Sequence, residues 1–271
     1  MFTAPLRRGA ELTAAIAVLS LGLLAATGSG PATAGSGRLV GTSVNGSVSA
    51  STKLFPNAKA IRLFFTTDPE AYGGKMASVP STAEIWVSFR TPIATVKSGA
   101  YDAAFAKILK TWNASGRTIK WTWWHEADNP NNHIAPADFV AGWKHLLAVE
   151  ANNPSSRVQS MTVLESFMLS PNQPHGNPAS WYVPGVDLLG FDSYRLQTEA
   201  YAIKYAASKG KRLVFPEFGA GIGGSTDAAS LTFATAFVAA MTPNVYGACW
   251  YNANGNELST HPRVLAYLKS L

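Results

Sequence analysis

The sequence predicts a compact, single-domain (β/α)8 TIM barrel, and three observations support that prediction. Eight short runs rich in β-branched and aromatic residues are separated by helical patterns along the chain. The runs are apolar on both faces, as expected for parallel strands that are covered by helices. Without an N-terminal export segment, 237 of the 271 residues remain, which is on the compact side for this fold. An open, doubly wound sheet gives the same alternation and is the alternative architecture.

The first 34 residues have the three parts of a secretory signal peptide. Arg7 and Arg8 supply positive charge, residues 12–26 are apolar, and the A-T-A sequence at 32–34 is typical of a cleavage site. An uncleaved membrane anchor is the alternative, but this apolar run is shorter than the roughly 20 residues that cross a bilayer. We therefore expect a secreted protein in which residues 35–271 form the barrel.

Composition and charge narrow the possible classes. Charged residues make up only 14% of the chain and hydrophobic residues 47%, which excludes a coiled coil and a disordered chain. Residues 35–271 contain 20 basic and 15 acidic residues, and no basic run is longer than two. This scatter argues against nucleic-acid binding. Cys249 is the single cysteine, so no internal disulfide is expected. We expect a monomer without membrane contact once the signal is removed.

The first four predicted strands are short runs of apolar residues with β-branched or aromatic side chains. They are RLVGTSV at 38–44, AIRLFFT at 60–66, AEIWVSFR at 83–90 and TIKWTWWHE at 118–126. The connections between the first strands are short and less regular.

The last four predicted strands have the same character and are followed by clearer helices. They are VQSMTVLESFML at 158–169, VDLLGFDSY at 186–194, RLVFPEF at 212–218 and VYGACWY at 245–251. Helical patterns are clearest at 101–112, 136–151, 198–208, 227–241 and 261–271.

Carboxylates stand at several predicted strand ends, where a barrel of this kind places its chemistry. Glu126 ends the fourth run, Glu217 ends the seventh, Asp192 lies in the sixth and Glu165 is late in the fifth. Two carboxylates about 5 Å apart can divide labour, one attacking an anomeric carbon while the other protonates the leaving oxygen. The alternative is that Glu126 and Glu217 only pair with Arg or Lys at the barrel rim.

Four features stand at predicted strand ends: His125-Glu126 on strand four, Glu-Phe-Gly at 217–219, the aromatic strand-six segment, and Trp250 on strand eight. Together they resemble the clan A glycoside hydrolases. The His-Glu pair is most similar to glycoside hydrolase family 26, the β-mannanase family. The resemblance implies that Glu126 is the acid/base and Glu217 the nucleophile. It also implies that Tyr194 hydrogen-bonds the nucleophile and that Trp250 floors the central sugar site. The segment ADNP at 127–130 departs from the Met-Asn-Gly typical of family 26, so the resemblance implies hydrolase chemistry more firmly than mannan specificity.

Further candidates for substrate binding surround this pair. His125 is expected to orient the acid or bind a sugar hydroxyl, with a core histidine as the alternative. Trp181, in a Pro/Asn-rich loop at 170–184, is predicted to be an exposed platform for sugar stacking, and Trp124 is an intermediate case. Arg90 is expected either to reach substrate or to pair with Glu217. Asp192 is expected either to bind substrate or to brace the barrel mouth.

Two other motifs are set aside, so no cofactor and no metal are predicted. The sequence at 219–224 fits G-x-G-x-x-G, but no acidic residue follows at the distance that a dinucleotide ribose needs. A flexible loop near substrate explains it better. His125-Glu126 begins like a zincin motif, but the second histidine of that motif is missing and Pro130 interrupts any helix.

The sequence therefore predicts a secreted, retaining glycoside hydrolase that cleaves a β-linked polysaccharide, mannan or a related β-glycan. A non-catalytic carbohydrate-binding or cell-wall barrel is the alternative. A barrel lyase acting on acidic polysaccharide is a third reading, but it would want more Arg and Lys at the strand ends.

Overall fold

The computed structural model describes residues 39–44, 46–171, 177–221, 223 and 225–271, so the predicted export segment lies outside the described residues. Within these ranges, no helix is both long enough and apolar enough to cross a lipid bilayer.

Eight parallel strands close into a barrel in which each strand pairs with the next and β8 pairs with β1. The strands are β1 (Leu39–Ser43), β2 (Ala60–Phe64), β3 (Glu84–Phe89), β4 (Ile119–Trp123), β5 (Val158–Glu165), β6 (Leu188–Asp192), β7 (Arg212–Phe218) and β8 (Val245–Trp250). The helices are α1 (Val48–Leu54), α2 (Gly74–Ala77), α3 (Ile93–Lys97), α4 (Asp102–Ala114), α5 (Pro136–Ala151), α6 (Leu196–Ser208), α7 (Asp227–Ala240) and α8 (Pro262–Lys269). The predicted (β/α)8 barrel is confirmed, and the open sheet is wrong because β1 and β8 are hydrogen-bonded neighbours.

Two strands end three or more residues before their predicted ends, for local backbone reasons. β4 ends at Trp123 because Trp124 and Glu126 have φ angles of 52° and 53°, which lie outside the strand region. β5 ends at Glu165, and the residues predicted to continue it form a 3-10 turn, Ser166–Leu169. The helices α1, α2 and α3 lie in the first connections, whose sequence pattern is less regular. With 7, 4 and 5 residues they are too short to show a helical period.

Aromatic side chains on the outer face of β4 seat this strand against two helices. Trp121 packs between Phe105 of α4 and Trp143 of α5, with ring centroids 4.9 and 5.1 Å away. Trp123 stacks on Phe139 of α5 at 6.0 Å. All five side chains are fully buried, and burial of each such group contributes about 1.5–3 kcal/mol. The strand that leads to the predicted acid is therefore firmly held.

The inner faces of the strands form an apolar floor inside the barrel. The floor consists of Ala60, Trp86, Met161, Val163, Leu188, Val214 and Cys249. Cys249 is fully buried and packs as a small hydrophobic side chain, as expected.

A β-bulge in β7 sets the direction of Glu217. From Phe215 to Phe218, β7 uses one residue more than the paired segment of β8. Phe215 and Phe218 consequently both face outward, and both pack on Phe237 of α7, at 4.9 and 4.6 Å between centroids. Strict alternation from Phe215 would turn Glu217 toward the helices, whereas the bulge turns it into the barrel. Pro216 is tolerated at this point because a bulge residue needs no ladder hydrogen bond.

Candidate active site

Three carboxyl groups converge where β4, β6 and β7 end. One carboxylate oxygen each of Glu126, Asp192 and Glu217 lies within 4.8 Å of the other two. Glu217 is 5% exposed and Asp192 2% exposed, while Glu126 is partly buried. This separation of Glu126 and Glu217 is the one that allows one carboxylate to attack a sugar carbon while the other transfers a proton. The structure thus brings together the two glutamates that the sequence singles out.

The Glu217 carboxylate is held by two donors. Arg62 Nη1 lies 3.1 Å from Glu217 Oε1, and the Tyr194 hydroxyl donates to Glu217 Oε2. Burial and the charge of Glu217 raise the pKa of Tyr194 well above its ordinary value, so the hydroxyl keeps the proton that it donates. Both donors stabilise negative charge on Glu217, as a nucleophile requires. The Tyr194 contact is the one that the family resemblance implies.

Arg62 of β2 is the functional residue that sequence reasoning misses. Its side chain is fully buried, Nη1 also lies 2.9 Å from Asp192 Oδ1, and Nε and Nη2 donate to the Ser88 hydroxyl at 3.3 and 3.2 Å. Burial alone would lower the pKa of Arg62, but the charges of Asp192 and Glu217 raise it above its ordinary value. The guanidinium is therefore a permanent cation between two carboxylates. The sequence signal that could have identified Arg62 is its charge in the middle of the apolar run AIRLFFT.

Glu126 lies in a different electrostatic environment from Glu217. Burial, followed by the charges of Glu217 and Glu165, raises the pKa of Glu126 to about 8. The two nearby arginines, Arg62 and Arg90, act in the opposite direction. Glu126 is consequently protonated over most of the neutral range, which is the state that a general acid needs.

His125, Arg90 and Trp124 form one group next to this acid. Arg90 Nη2 lies 3.2 Å from His125 Nε2, and the Arg90 guanidinium is 5.1 Å from the Trp124 ring centre. Because a guanidinium only donates, Nε2 accepts and the ring proton is assigned to Nδ1. Burial and the charges of Arg62 and Arg90 lower the pKa of His125 well below its ordinary value, so the ring is neutral. The expectation that Arg90 could pair with Glu217 is wrong, because Arg62 occupies that place.

Trp250 does not face the cleft, and the expectation that it floors the sugar site is wrong. Its side chain is fully buried, its Nε1 donates to the Asn256 carbonyl over 2.7 Å, and its ring packs edge-on against Phe218 at 5.3 Å. Strand alternation is the reason: Cys249 faces the interior, so the next residue faces the helices.

Tyr251 turns inward where Trp250 was expected to do so. Its ring centre lies 5.7 Å from that of Tyr194. Burial, followed by the charges of Glu217 and Glu126, raises the pKa of Tyr251 to about 12. The aromatic side chain that faces the carboxylates at the end of β8 is therefore Tyr251, which directly follows the strand and lies one position beyond the predicted residue.

Trp181 is not an exposed platform, so that expectation is also wrong. It lies in a 3-10 turn, Pro178–Trp181, and is only 6% exposed. Its ring packs edge-on against Phe139 of α5 at 5.6 Å. The loop segment 172–176 lies outside the described residues.

A cavity of about 450 Å³ opens beside the carboxylates at the ends of β5 and β6. Its lining is Glu165, Ser166, Phe167, Asp192, Tyr194, Arg195, Thr198 and Gly221. The volume is in the range of small-ligand pockets. Asp192 pairs with Arg62, as expected of a bracing residue, and it also lines this cavity. Its expected binding of substrate stays a prediction. Gly221 belongs to the glycine-rich loop expected near substrate, of which residues 222 and 224 lie outside the described residues.

The three carboxylates do not form a good metal site. Their oxygens are close enough to share one ion. However, the Arg62 guanidinium already lies 2.9 and 3.1 Å from Asp192 and Glu217 and offsets one of their two negative charges. The residues present therefore fit proton transfer and nucleophilic attack by side chains better than they fit metal binding.

Known proteins share this fold at low sequence identity. No family model and no curated protein sequence matches the chain. A GH26C protein from Muricauda sp. is similar in structure, with a TM-score of 0.56, 10% identity, and coverage of 81% of this chain and 79% of that chain. The catalytic domain of a GH26 endo-β-1,4-mannanase from Bacillus sp. has a TM-score of 0.54 and 14% identity, covering 87% and 86%. A GH5-4 broad-specificity endoglucanase from Clostridium longisporum has a TM-score of 0.57 and 11% identity, covering 88% and 96%. The chain thus shares its barrel fold with these glycoside hydrolases, and the resemblance to clan A and family 26 that its motifs predict is confirmed at the level of the fold.

Proposed function

We propose that this protein is a secreted, retaining glycoside hydrolase that cleaves a β-linked polysaccharide, mannan or a related β-glycan. The observation that carries the proposal is the pairing of Glu126 and Glu217, whose carboxylate oxygens lie within 4.8 Å in opposed environments. Glu217 is held by a cation and a hydroxyl, while burial raises the pKa of Glu126 to about 8. Retaining enzymes need this division between an ionised and a protonated carboxyl group.

The proposed reaction has two displacements. Glu217 attacks the anomeric carbon and forms a glycosyl ester, while the proton of Glu126 passes to the glycosidic oxygen as the C–O bond breaks. Glu126, now ionised, takes a proton from a water molecule, whose oxygen attacks the same carbon and displaces Glu217. Each step inverts the anomeric centre, so the product keeps the β configuration.

The substrate class is supported by the similar structures. They include a mannanase and an endoglucanase, which act on β-linked polysaccharides. The 450 Å³ cavity beside Asp192 offers space for part of such a chain. Export, and hence an extracellular polysaccharide, is supported by the signal-like residues 1–34.

A substrate panel with a matched pair of variants tests the proposal. The protein is incubated with mannan, xylan, mixed-linkage glucan, β-1,3-glucan and arabinogalactan, and reducing ends are measured. We expect Glu126→Gln to lose at least about a hundredfold in activity on the hydrolysed glycan. Glu150→Gln is the control, because Glu150 is a partly buried carboxyl group that accepts from Trp121 Nε1 at 2.9 Å, away from the site. Proton NMR of the first product should show the β anomer; an α anomer, or binding of glycan without new reducing ends, would contradict the proposal.

The rate should also depend on pH in a defined direction. Because Glu126 must be protonated for the first displacement and its pKa is about 8, kcat/KM on polysaccharide should fall as pH rises through that value. In a dinitrophenyl glycoside the leaving group departs as a phenolate and needs no proton from Glu126. The kcat/KM for this substrate should therefore not fall at alkaline pH. An alkaline limb of equal position and depth with both substrates would contradict the assignment of Glu126 as the acid.

A further inference from the structure

The backbone that carries Glu126 is strained. Trp124 and Glu126 have φ angles of 52° and 53°, a left-handed conformation that costs non-glycine residues about 1–3 kcal/mol each. Such strain persists only where the surrounding contacts over-determine the backbone. Part of the restraint is the Glu126 N–H, which donates to the Val163 carbonyl of β5 over 2.8 Å. The remaining restraint lies in the residues immediately after Glu126.

Asp128 and Asn129 tie this loop to the end of β5 at a single residue, Glu165. Both carboxylate oxygens of Asp128 lie 3.1 Å from the Glu165 backbone nitrogen. Asn129 Nδ2 donates to Glu165 Oε1, also over 3.1 Å. The Glu126 carbonyl accepts from the Asn129 N–H at 3.0 Å and from Asn132 Nδ2 at 2.6 Å. We call Asp128, Asn129 and Glu165 the loop latch.

Stability alone does not account for Asp128. The residue is 4% exposed, and no ion pair within 4.0 Å involves it in the described part of the chain. Burial raises the pKa of Asp128 to about 7, which reflects the cost of desolvating its charge. A buried carboxyl group without a cation destabilises a fold. Its presence next to Glu126 therefore calls for a role in the site.

We propose that Asp128 is a positioning residue: by capturing the Glu165 N–H it holds Glu126 in its left-handed conformation and aims the Glu126 carboxyl group at the glycosidic oxygen. The inference rests on the proposed function, in which Glu126 is the acid/base. Asp128 lies where the sequence departs from the family 26 pattern, so the role is not carried over from the resemblance. The latch would act on proton transfer and leave attack by Glu217 unchanged.

The test compares leaving groups that do and do not need a proton. Glycosides of β-mannobiose with a dinitrophenyl or a methoxyphenyl leaving group are used, or the same pair on the disaccharide of whichever glycan is hydrolysed. For Asp128→Ala we expect kcat/KM to fall about tenfold or more with methoxyphenyl and less than about threefold with dinitrophenyl. Asp128→Asn should recover most of the loss, because its amide oxygen accepts the same N–H.

Asp187→Ala is the matched control, because Asp187 Oδ2 accepts the Ser160 N–H at 2.9 Å near the opposite end of the same strand. It should lower Tm without making kcat/KM depend more on the leaving group. Equal losses on both glycosides with Asp128→Ala, or no loss, would overturn the latch. Glu126→Gln separates the two proposals. If the loss of kcat/KM in Glu126→Gln is the same with both leaving groups, the proposed function fails. If that loss depends on the leaving group in Glu126→Gln but not in Asp128→Ala, only the proposed role of Asp128 is overturned.

Discussion

Replacing Glu217 by Ala should reduce hydrolysis of the glycan by about 10⁴-fold or more, since the group that forms the covalent intermediate is lost. That factor corresponds to about 5.4 kcal/mol of transition-state stabilisation. The structure supports so large an effect because Arg62 and Tyr194 both direct their donors at this one carboxylate. No other described carboxylate is held by both groups. The measurement is the rate of reducing-end release.

Azide distinguishes the roles of the two glutamates. In Glu217→Ala, azide can enter the vacated space and attack the anomeric carbon directly, giving an α-glycosyl azide by one inversion. In Glu126→Ala with a dinitrophenyl glycoside, Glu217 still forms the ester, and azide then displaces it to give the β-glycosyl azide. NMR identifies the two products. The same anomer from both variants, or the two anomers exchanged, would show that the assigned roles are wrong.

Replacing Arg62 by Met should have the largest effect on stability. The substitution leaves Asp192 and Glu217 buried beside each other without the cation that lies 2.9 and 3.1 Å from them. Breaking a buried ion pair in this way costs about 3–5 kcal/mol, which lowers Tm by about 6–20 °C for a domain of this size. Activity should fall as well, because the negative charge on Glu217 loses its main partner.

The loss of stability in Arg62→Met should depend on pH with a definite sign. Burial and the charge of Glu217 raise the pKa of Asp192, whereas the charge of Arg62 lowers it, so without Arg62 protonation of Asp192 relieves the repulsion as pH falls. The deficit in Tm should therefore be smaller near about pH 5 than near about pH 8. Arg117→Met is the control, because Arg117 donates to the backbone carbonyls of Val79, Pro80 and Ala83 rather than to carboxylates. Its deficit should not vary with pH, and an equal pH dependence in both variants would contradict the role of Arg62.

Much of the barrel can be predicted because each strand corresponds to a short local run of apolar residues. The run RLVFPEF coincides with β7, and the other seven runs contain their strands with small differences at the ends. Glu126 and Glu217 could be identified because a carboxylate at the end of an apolar run is locally conspicuous. Local patterns also indicate the helices of eight or more residues, whereas α1, α2 and α3 are too short to show a helical pattern.

The residues that escaped prediction are those whose direction is decided by distant contacts. Arg62 is separated by 130 positions from Asp192, and only barrel closure brings the two together. Trp181 is buried because Phe139 of α5 lies over its loop, which the loop's own composition does not show. The left-handed backbone conformation of Glu126 could not be predicted, because no glycine occupies that position. Its conformation is imposed by contacts with β5.

Because of the bulge in β7, an insertion or deletion in this strand would change the direction of the Glu217 side chain. The number of residues between Phe215 and Phe218, rather than the identity of any one of them, determines whether a carboxylate reaches the barrel interior. Aligned without a gap to a strand seven that lacks the extra residue, Glu217 would fall opposite a helix-facing position. Homologues should therefore be compared by counting back from the outward-facing phenylalanines. Deleting one residue between Phe215 and Phe218 should turn Glu217 toward the helices and abolish hydrolysis even though the glutamate itself is retained.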